Sequence, residues 1–167
     1  MSLCDCEQTP RSCYSPGVVE DDEVLLRVII APRDINKDGF LAPTAIQTKD
    51  LLTRGWSLVR RGHSTLQETD NFASELAKGQ SVHGVGVISA EQVRVVLDPT
   101  GQRVFCVYDD ALKALKAHAS ALHECEQNEK ALKKARAAII PFRDVLLSAI
   151  QPVHTIEEAY AAARQSK

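Results

Sequence analysis

Neither sign of charge is in excess. Twenty lysines and arginines face 22 aspartates and glutamates over 167 residues, giving a formal net charge of −2 and a pI near 6.2. Without the surplus of Lys and Arg that supplies most non-specific nucleic-acid affinity, nucleic acid is not an expected partner. Long hydrophobic runs are also missing. The longest, Val24 to Pro32 and Ala135 to Phe142, fall far short of the roughly 18 residues that a membrane-spanning helix requires, so no membrane partner is expected. The opening residues Met1-Ser2-Leu3-Cys4-Asp5 lack the basic stretch and apolar core of a secretory signal. Five cysteines make an odd number, and three of them crowd into the first thirteen residues, a poor disulfide framework. Reduced thiols in the cytoplasm are the expectation. There is no Gly-x-Ser-x-Gly, no P-loop and no complete metal motif, and no cofactor is expected.

What is present is an ordinary globular composition, 44% hydrophobic and 25% charged, in a length that suits one hydrophobic core. Residues 1–22 carry Pro10 and Pro16-Gly17 without any periodic apolar pattern, and are expected to form a flexible N-terminal arm that contributes nothing to the core. Residues 23–167 are expected to form a single α+β domain, strand-rich over 23–108 and helical over 109–167.

Within the strand-rich part, Glu23 to Ala31 is a β-branched run stopped by Pro32, as suits a strand covered on both faces. Pro43 to Arg54 predicts a short helix closed by Gly55, followed by a brief strand at Trp56 to Arg60. Thr65-Leu66-Gln67-Glu68 is a capping box opening a helix over 66–78, with Gly79 as its stop. Val82 to Ile88 has strand composition, and Gly84 and Gly86 within it point to a bulge or a close backbone approach. Gln92 to Leu97 and Gln102 to Tyr108 flank the turn Asp98-Pro99-Thr100-Gly101 and predict a hairpin.

From Asp109 onward Ala, Leu, Lys and Glu dominate, which predicts helix. Apolar positions Leu112, Leu115, Ala119 and Leu122 recur at helical spacing, interrupted by the polar stretch Glu124 to Lys130. Pro141 and Pro152 predict kinks or ends, and Thr155-Ile156-Glu157-Glu158 opens a terminal helix with a second capping box.

Several local patterns touch on chemistry. Asp34 to Leu41 matches the first eight positions of an EF-hand loop, but Ala45 stands where a bidentate glutamate is needed, and an ordinary strand-to-helix turn accounts for the pattern. His123-Glu124 begins a zinc-peptidase-like motif whose second histidine is replaced by Gln127, and on a helix His118 would point about 140° away from His123. Cys4, Cys6 and Cys13 offer three soft metal ligands at a spacing unlike the usual zinc knuckles; the alternative is a thiol-bearing tail. Arg54, Trp56, Arg60, Arg61 and His63 form a basic cluster suited to phosphate, against a default of solvated edge charges. Asp109-Asp110 at a strand end suits a base or, more simply, a helix N-cap.

The expected architecture is therefore α+β: a small mixed or antiparallel sheet, a short packing helix and a C-terminal helical portion. The leading functional expectation is a non-enzymatic protein-interaction or accessory module of a larger assembly. It would self-associate or dock a protein partner through a helical seam of Leu112, Leu115, Leu122 and Leu132. The alternative is a small hydrolase or transferase acting on a phosphate-containing or nucleotide substrate. Arg27, Arg54, Arg60 and Arg61 would contact phosphate there, with Asp109 and His63 as catalytic groups.

Overall fold

The protein is described by a computed structural model covering residues 3–123, 129–150 and 152–162, without the side chains of Cys6 and of 129–132. Six antiparallel strands form one sheet: β1 (Val24–Ala31), β2 (Trp56–Arg60), β3 (Ser81–Ser89), β4 (Cys106–Asp109), β5 (His118–Leu122) and β6 (Val153–His154), in the order β4-β5-β2-β1-β3-β6. Five α-helices accompany it among the described residues: α1 (Thr48–Thr53), α2 (Leu66–Ala77), α3 (Ala90–Arg94), α4 (Glu129–Ala149) and α5 (Ile156–Ala161). This is the expected α+β class, with the sheet wholly antiparallel. No helix among the described residues is long and apolar enough to cross a membrane.

The sheet is covered on both faces, which explains why β1 is apolar at nearly every position. Leu25, Ile29, Trp56, Leu58, Ala119 and Ala121 pack on one face with Leu51 and Leu52 of α1, Val93 of α3 and Ile139 and Leu146 of α4. Leu26, Val28, Ile30, Val59 and Val85 pack on the other with Ala73 and Ala77 of α2 and Ile156 and Ala159 of α5. Both expected capping boxes are formed: the Thr65 hydroxyl accepts from Glu68 N and the Thr155 hydroxyl from Glu158 N. The glycines of β3 serve the expected purpose. The β1/β3 register shifts at Ile29/Ile30, opposite Gly84, whose φ is +153° and where a Cβ would stand 2.3 Å from the His154 carbonyl oxygen.

Three expectations need correction. Asp98-Pro99-Thr100-Gly101 does form a turn, with Asp98 N donating to Gln102 O and Gly101 N to Asp98 O. Its flanks are not a two-stranded hairpin, however. Residues 90–94 are α3, capped by Ser89, and apart from the single bridge Leu97↔Arg103 the segment 102–108 continues into β4, which pairs with β5. Second, 109–122 is not helical. After Asp109, the last residue of β4, it is a loop followed by β5, and the expected seam dissolves: Leu115 lies in the core (2% exposed), Leu112 is 41% exposed, and Leu122 is half-buried in a strand. The Leu132 side chain lies outside the described residues.

Third, the N-terminal arm is built into the domain. Val19 is buried in the first core cluster, and two fully buried arginines fasten the segment. Arg60 donates to Gly17 O (2.6 Å), Val18 O (2.9 Å) and both Glu23 carboxylate oxygens, and pairs with Asp109. Arg94 donates to Glu7 (2.9 Å), Asp21 (2.8 Å) and Val19 O (2.7 Å). A guanidinium stays charged and needs its donors filled when buried, so carbonyls and carboxylates of the arm supply what water no longer can.

Candidate functional site

Of the residues expected to gather around phosphate, Arg60, Asp109 and His63 meet around Glu23, while Arg27 and Arg61 are committed elsewhere. Arg27 is buried over the first core cluster, donating to Ala45 O (3.1 Å) and Ser57 O (3.0 Å); burial lowers its pKa to about 10, so it remains charged at neutral pH. Arg60 and Asp109 form the buried pair that holds the arm. Arg61 donates to Ala159 O at 3.1 Å, tying the turn after β2 to α5. Arg54 is exposed at the end of α1, and His63 lies 3.8 Å from Glu23 at the surface. Trp56 is buried and gives its indole N–H to Ala45 O. The two concavities beside α4 are lined by none of these residues, and with Arg27, Arg60 and Arg61 committed to internal partners their arrangement lends no support to the enzyme reading built on Arg27, Arg54, Arg60, Arg61, His63 and Asp109.

The cysteines are arranged differently from the sequence expectation. Cys13 is exposed, and the Cys6 side chain lies outside the described residues. Cys4 instead approaches Glu7 and Cys106, their donor atoms lying within 4.8 Å of one another. This is a weak cation site, because Glu7 is already satisfied. One of its oxygens accepts from Arg94 Nε (2.9 Å) and Val107 N (2.6 Å), the other from Cys4 N (2.9 Å) and Arg103 (2.7 Å). Burial works to raise the Glu7 pKa, but these backbone and guanidinium donors outweigh it and hold it below the ordinary carboxylate value. The EF-hand-like loop shows the same commitment: Asp34 is buried and accepts from Ile30 N and from the Arg33 guanidinium, while the Asn36 side chain closes its own turn onto Asp38 N and Phe40 N.

Two concavities flank α4. One, about 440 Å³, lies between the 98–104 turn and the helix; Val104, Ala135, Ala138, Ile139 and Phe142 give it apolar walls, and Asp98, Gln102, Arg103, His123 and Lys134 a polar rim. His123 is fixed there by Leu51 O, which accepts its N–H (2.7 Å), and by Nδ1 against Val104 O (2.8 Å). The other, about 370 Å³ and shallower, gathers Lys49, Arg136 and Arg143 with Thr44, Gln47 and Thr48, but Arg143 is already paired with Asp144 at 2.7 Å.

On the opposite face of the sheet a second polar group stands out. His118 and Ser120 of β5 face the α2 side together with Ser57 of β2, because β2 and β5 pair with Ser57 opposite Ser120 and Val59 opposite His118. Ser57 Oγ lies 2.6 Å from His118 Nε2, His118 Nδ1 is 2.8 Å from the Asp110 carbonyl oxygen, and Ser120 Oγ donates to Asp110 Oδ2 at 2.9 Å. Burial holds the His118 pKa below 6.5, against the Asp110 hydrogen bond and the charges of Asp110 and Asp109, which raise it; the Arg27 charge lowers it further.

This shift sets a pH dependence. The unfolded chain takes up a proton on His118 near 6.5, before the folded protein does, so stability is full above that value and falls on acidification below it. Glu7, with its folded pKa below 4.5, adds a second loss at lower pH. Melting midpoints from pH 7.5 to 3 should decline in these two windows, and His118→Gln should flatten the first. A profile already flat below 6.5 in the unsubstituted protein would show that His118 is not held neutral.

Sequence reasoning missed Ser57, His118 and Asp110 as a group, and the α4 cleft. The alternation His118-Ala-Ser120-Ala-Leu122 was the available signal: it has period 2, but its alanines invite a helical reading. Comparison with family models, with curated proteins and with solved structures gives no match to this chain.

Proposed function

We infer that this chain is a ligand-binding module that takes up a small organic molecule in the cleft between the 98–104 turn and α4. The carrying observation is the cleft itself. Its volume of about 440 Å³ lies within the range typical of small-molecule sites, and a mostly apolar wall with a few polar groups at the mouth is their usual chemistry. Val104, Ile139 and Phe142 suit an apolar body, and Lys134 at the rim suits an acidic group at one end, so the ligand class is a small organic acid with an apolar body. This differs from the protein-interaction module expected from the sequence: the binding surface is a small-molecule cleft in place of a helical seam. The buried Arg27 and Arg60 no longer favour a phosphate-containing substrate.

Calorimetry with a series of medium-chain carboxylic acids and the matching alcohols tests the reading. Acids are expected to bind with dissociation constants on the order of 10–100 µM, which for an acid of about ten heavy atoms is roughly −0.6 kcal/mol per atom, between the values for the smallest and for drug-sized ligands. Ala138→Phe, at an exposed helix position lining the cleft, should abolish binding while leaving the fold intact. Lys134→Gln should weaken the acids and leave the alcohols unchanged. Equal heats from unsubstituted protein and Ala138→Phe would remove the cleft as the site.

A further inference from the structure

The Ser57–His118–Asp110 group lies on the face of the sheet away from the α4 cleft and is independent of the reading above. Its hydrogen bonds fix the proton positions. The Asp110 main-chain oxygen can only accept, so Nδ1 of His118 carries the proton and donates it at 2.8 Å, leaving the Nε2 lone pair to accept the Ser57 hydroxyl at 2.6 Å. A hydroxyl donating into a neutral imidazole whose far nitrogen is tied down is the arrangement that general-base activation of an alcohol requires. The Asp110 carboxylate is 3.9 Å from Nδ1, close enough to stabilise an imidazolium, and the Ser120 hydroxyl holds it in place. The Ser57–His118 contact is only part-buried, and Asp110 keeps 37% of its side chain exposed, so the group borders solvent. The Phe72 ring of α2 meets the imidazole edge-on at 5.9 Å and supplies an apolar wall.

We propose that Ser57 is a nucleophile toward small carboxylic esters, with His118 as its general base and Asp110 as a positioning residue. The Ser57 oxygen attacks the ester carbonyl carbon as its proton passes to His118 Nε2. The C–O bond to the alcohol then breaks, and the alcohol leaves with that proton. Water attacks the acyl-serine, gives one proton to His118, and releases the carboxylic acid as the proton returns to Ser57. The sum is ester plus water giving acid plus alcohol.

The test is covalent labelling of the full chain with a fluorophosphonate, followed by peptide mapping. The Oγ–P bond forms as P–F breaks, and fluoride and the serine proton are released. One adduct, on Ser57, is expected; it should be lost in Ser57→Ala and form on the order of a hundredfold more slowly in His118→Gln. Asp110→Asn should slow labelling less while leaving the Ser57 adduct in place. Labelling of the unsubstituted protein needs no substituted chain to fold. Its rate should fall on acidification as His118 takes up a proton, under the influence of Asp110, Asp109 and Arg27, the charged groups that act on it. No adduct on Ser57, an adduct whose rate ignores pH, or labelling equally fast in folded His118→Gln would each overturn the proposal and leave the pair a structural hydrogen bond.

Discussion

A chain that begins at Asp21 is expected to lose most of its stability, with a melting midpoint lower by at least on the order of 10 °C. Removing residues 1–20 takes away Glu7, the Gly17, Val18 and Val19 carbonyls, and the buried Val19 side chain in one step. Arg94, fully buried, would keep only Asp21 at the new terminus and the Val107 carbonyl. Stripping one partner from a buried ion pair costs roughly 3–5 kcal/mol, and about 2–4 °C follows each kcal/mol in a domain of this size. Thermal melts of the two chains by circular dichroism check it. An unchanged midpoint would mean that the arm lies on the domain without holding it. A pair of substitutions separates the ionic contribution from simple loss of contact. Glu7→Leu alone takes a buried carboxylate from the Arg94 and Arg103 guanidinium groups and should be severely destabilising, whereas Glu7→Leu with Arg94→Met also removes the buried Arg94 charge and should recover part of the loss.

The same buried arginines show where the sequence was legible and where it was not. Elements fixed by local chemistry could be read directly: both Thr capping boxes, the β-branched run of β1, Trp56–Arg60, and the glycines of β3 that admit β6. Turn chemistry at Asp98 to Gly101 was readable as well, but the strand expected before it ignored Ser89-x-x-Gln92, a capping box that opens α3. The arm carries no apolar periodicity because polar backbone and carboxylates hold it down, and those contacts span 43 residues from Gly17 to Arg60 and 87 from Glu7 to Arg94. No local pattern encodes them. Pro141 predicted a kink or an end, yet α4 runs through it: Ala137, whose carbonyl loses its N–H partner, is exposed and within reach of water. Ser57 and His118 stand 61 residues apart in sequence, so their meeting follows from strand order rather than from any motif.

Leu115→Asp is expected to unfold the protein rather than to dissociate anything, because the segment is not the helical seam that its composition suggests. Alanine-rich sequence favours helix in isolation, but tertiary packing overrides that weak preference here. The small side chains of β5 fit a sheet packed closely against the turn before β2: a Cβ on Gly55 would come within 2.6 Å of the Ser120 Cβ, so bulk is excluded on both sides. Leu115, at the turn leading into β5, lies in the second core cluster with Leu26, Val59 and Ala73, and is 2% exposed. An aspartate there exchanges buried apolar area for an unpaired carboxylate, and either change alone costs several kcal/mol. Leu112, 41% exposed in the same loop, provides the control. Leu112→Asp should leave the melting midpoint within a few degrees, since surface substitutions usually change stability by about 0.5 kcal/mol or less. A helical seam would treat the two leucines alike, one turn apart on a shared face. Light scattering together with circular dichroism therefore separates the cases. If both variants stay folded and shed mass equally, the residues form an intermolecular seam; if Leu115→Asp alone unfolds at unchanged oligomeric state of the parent, the strand and its core are as described.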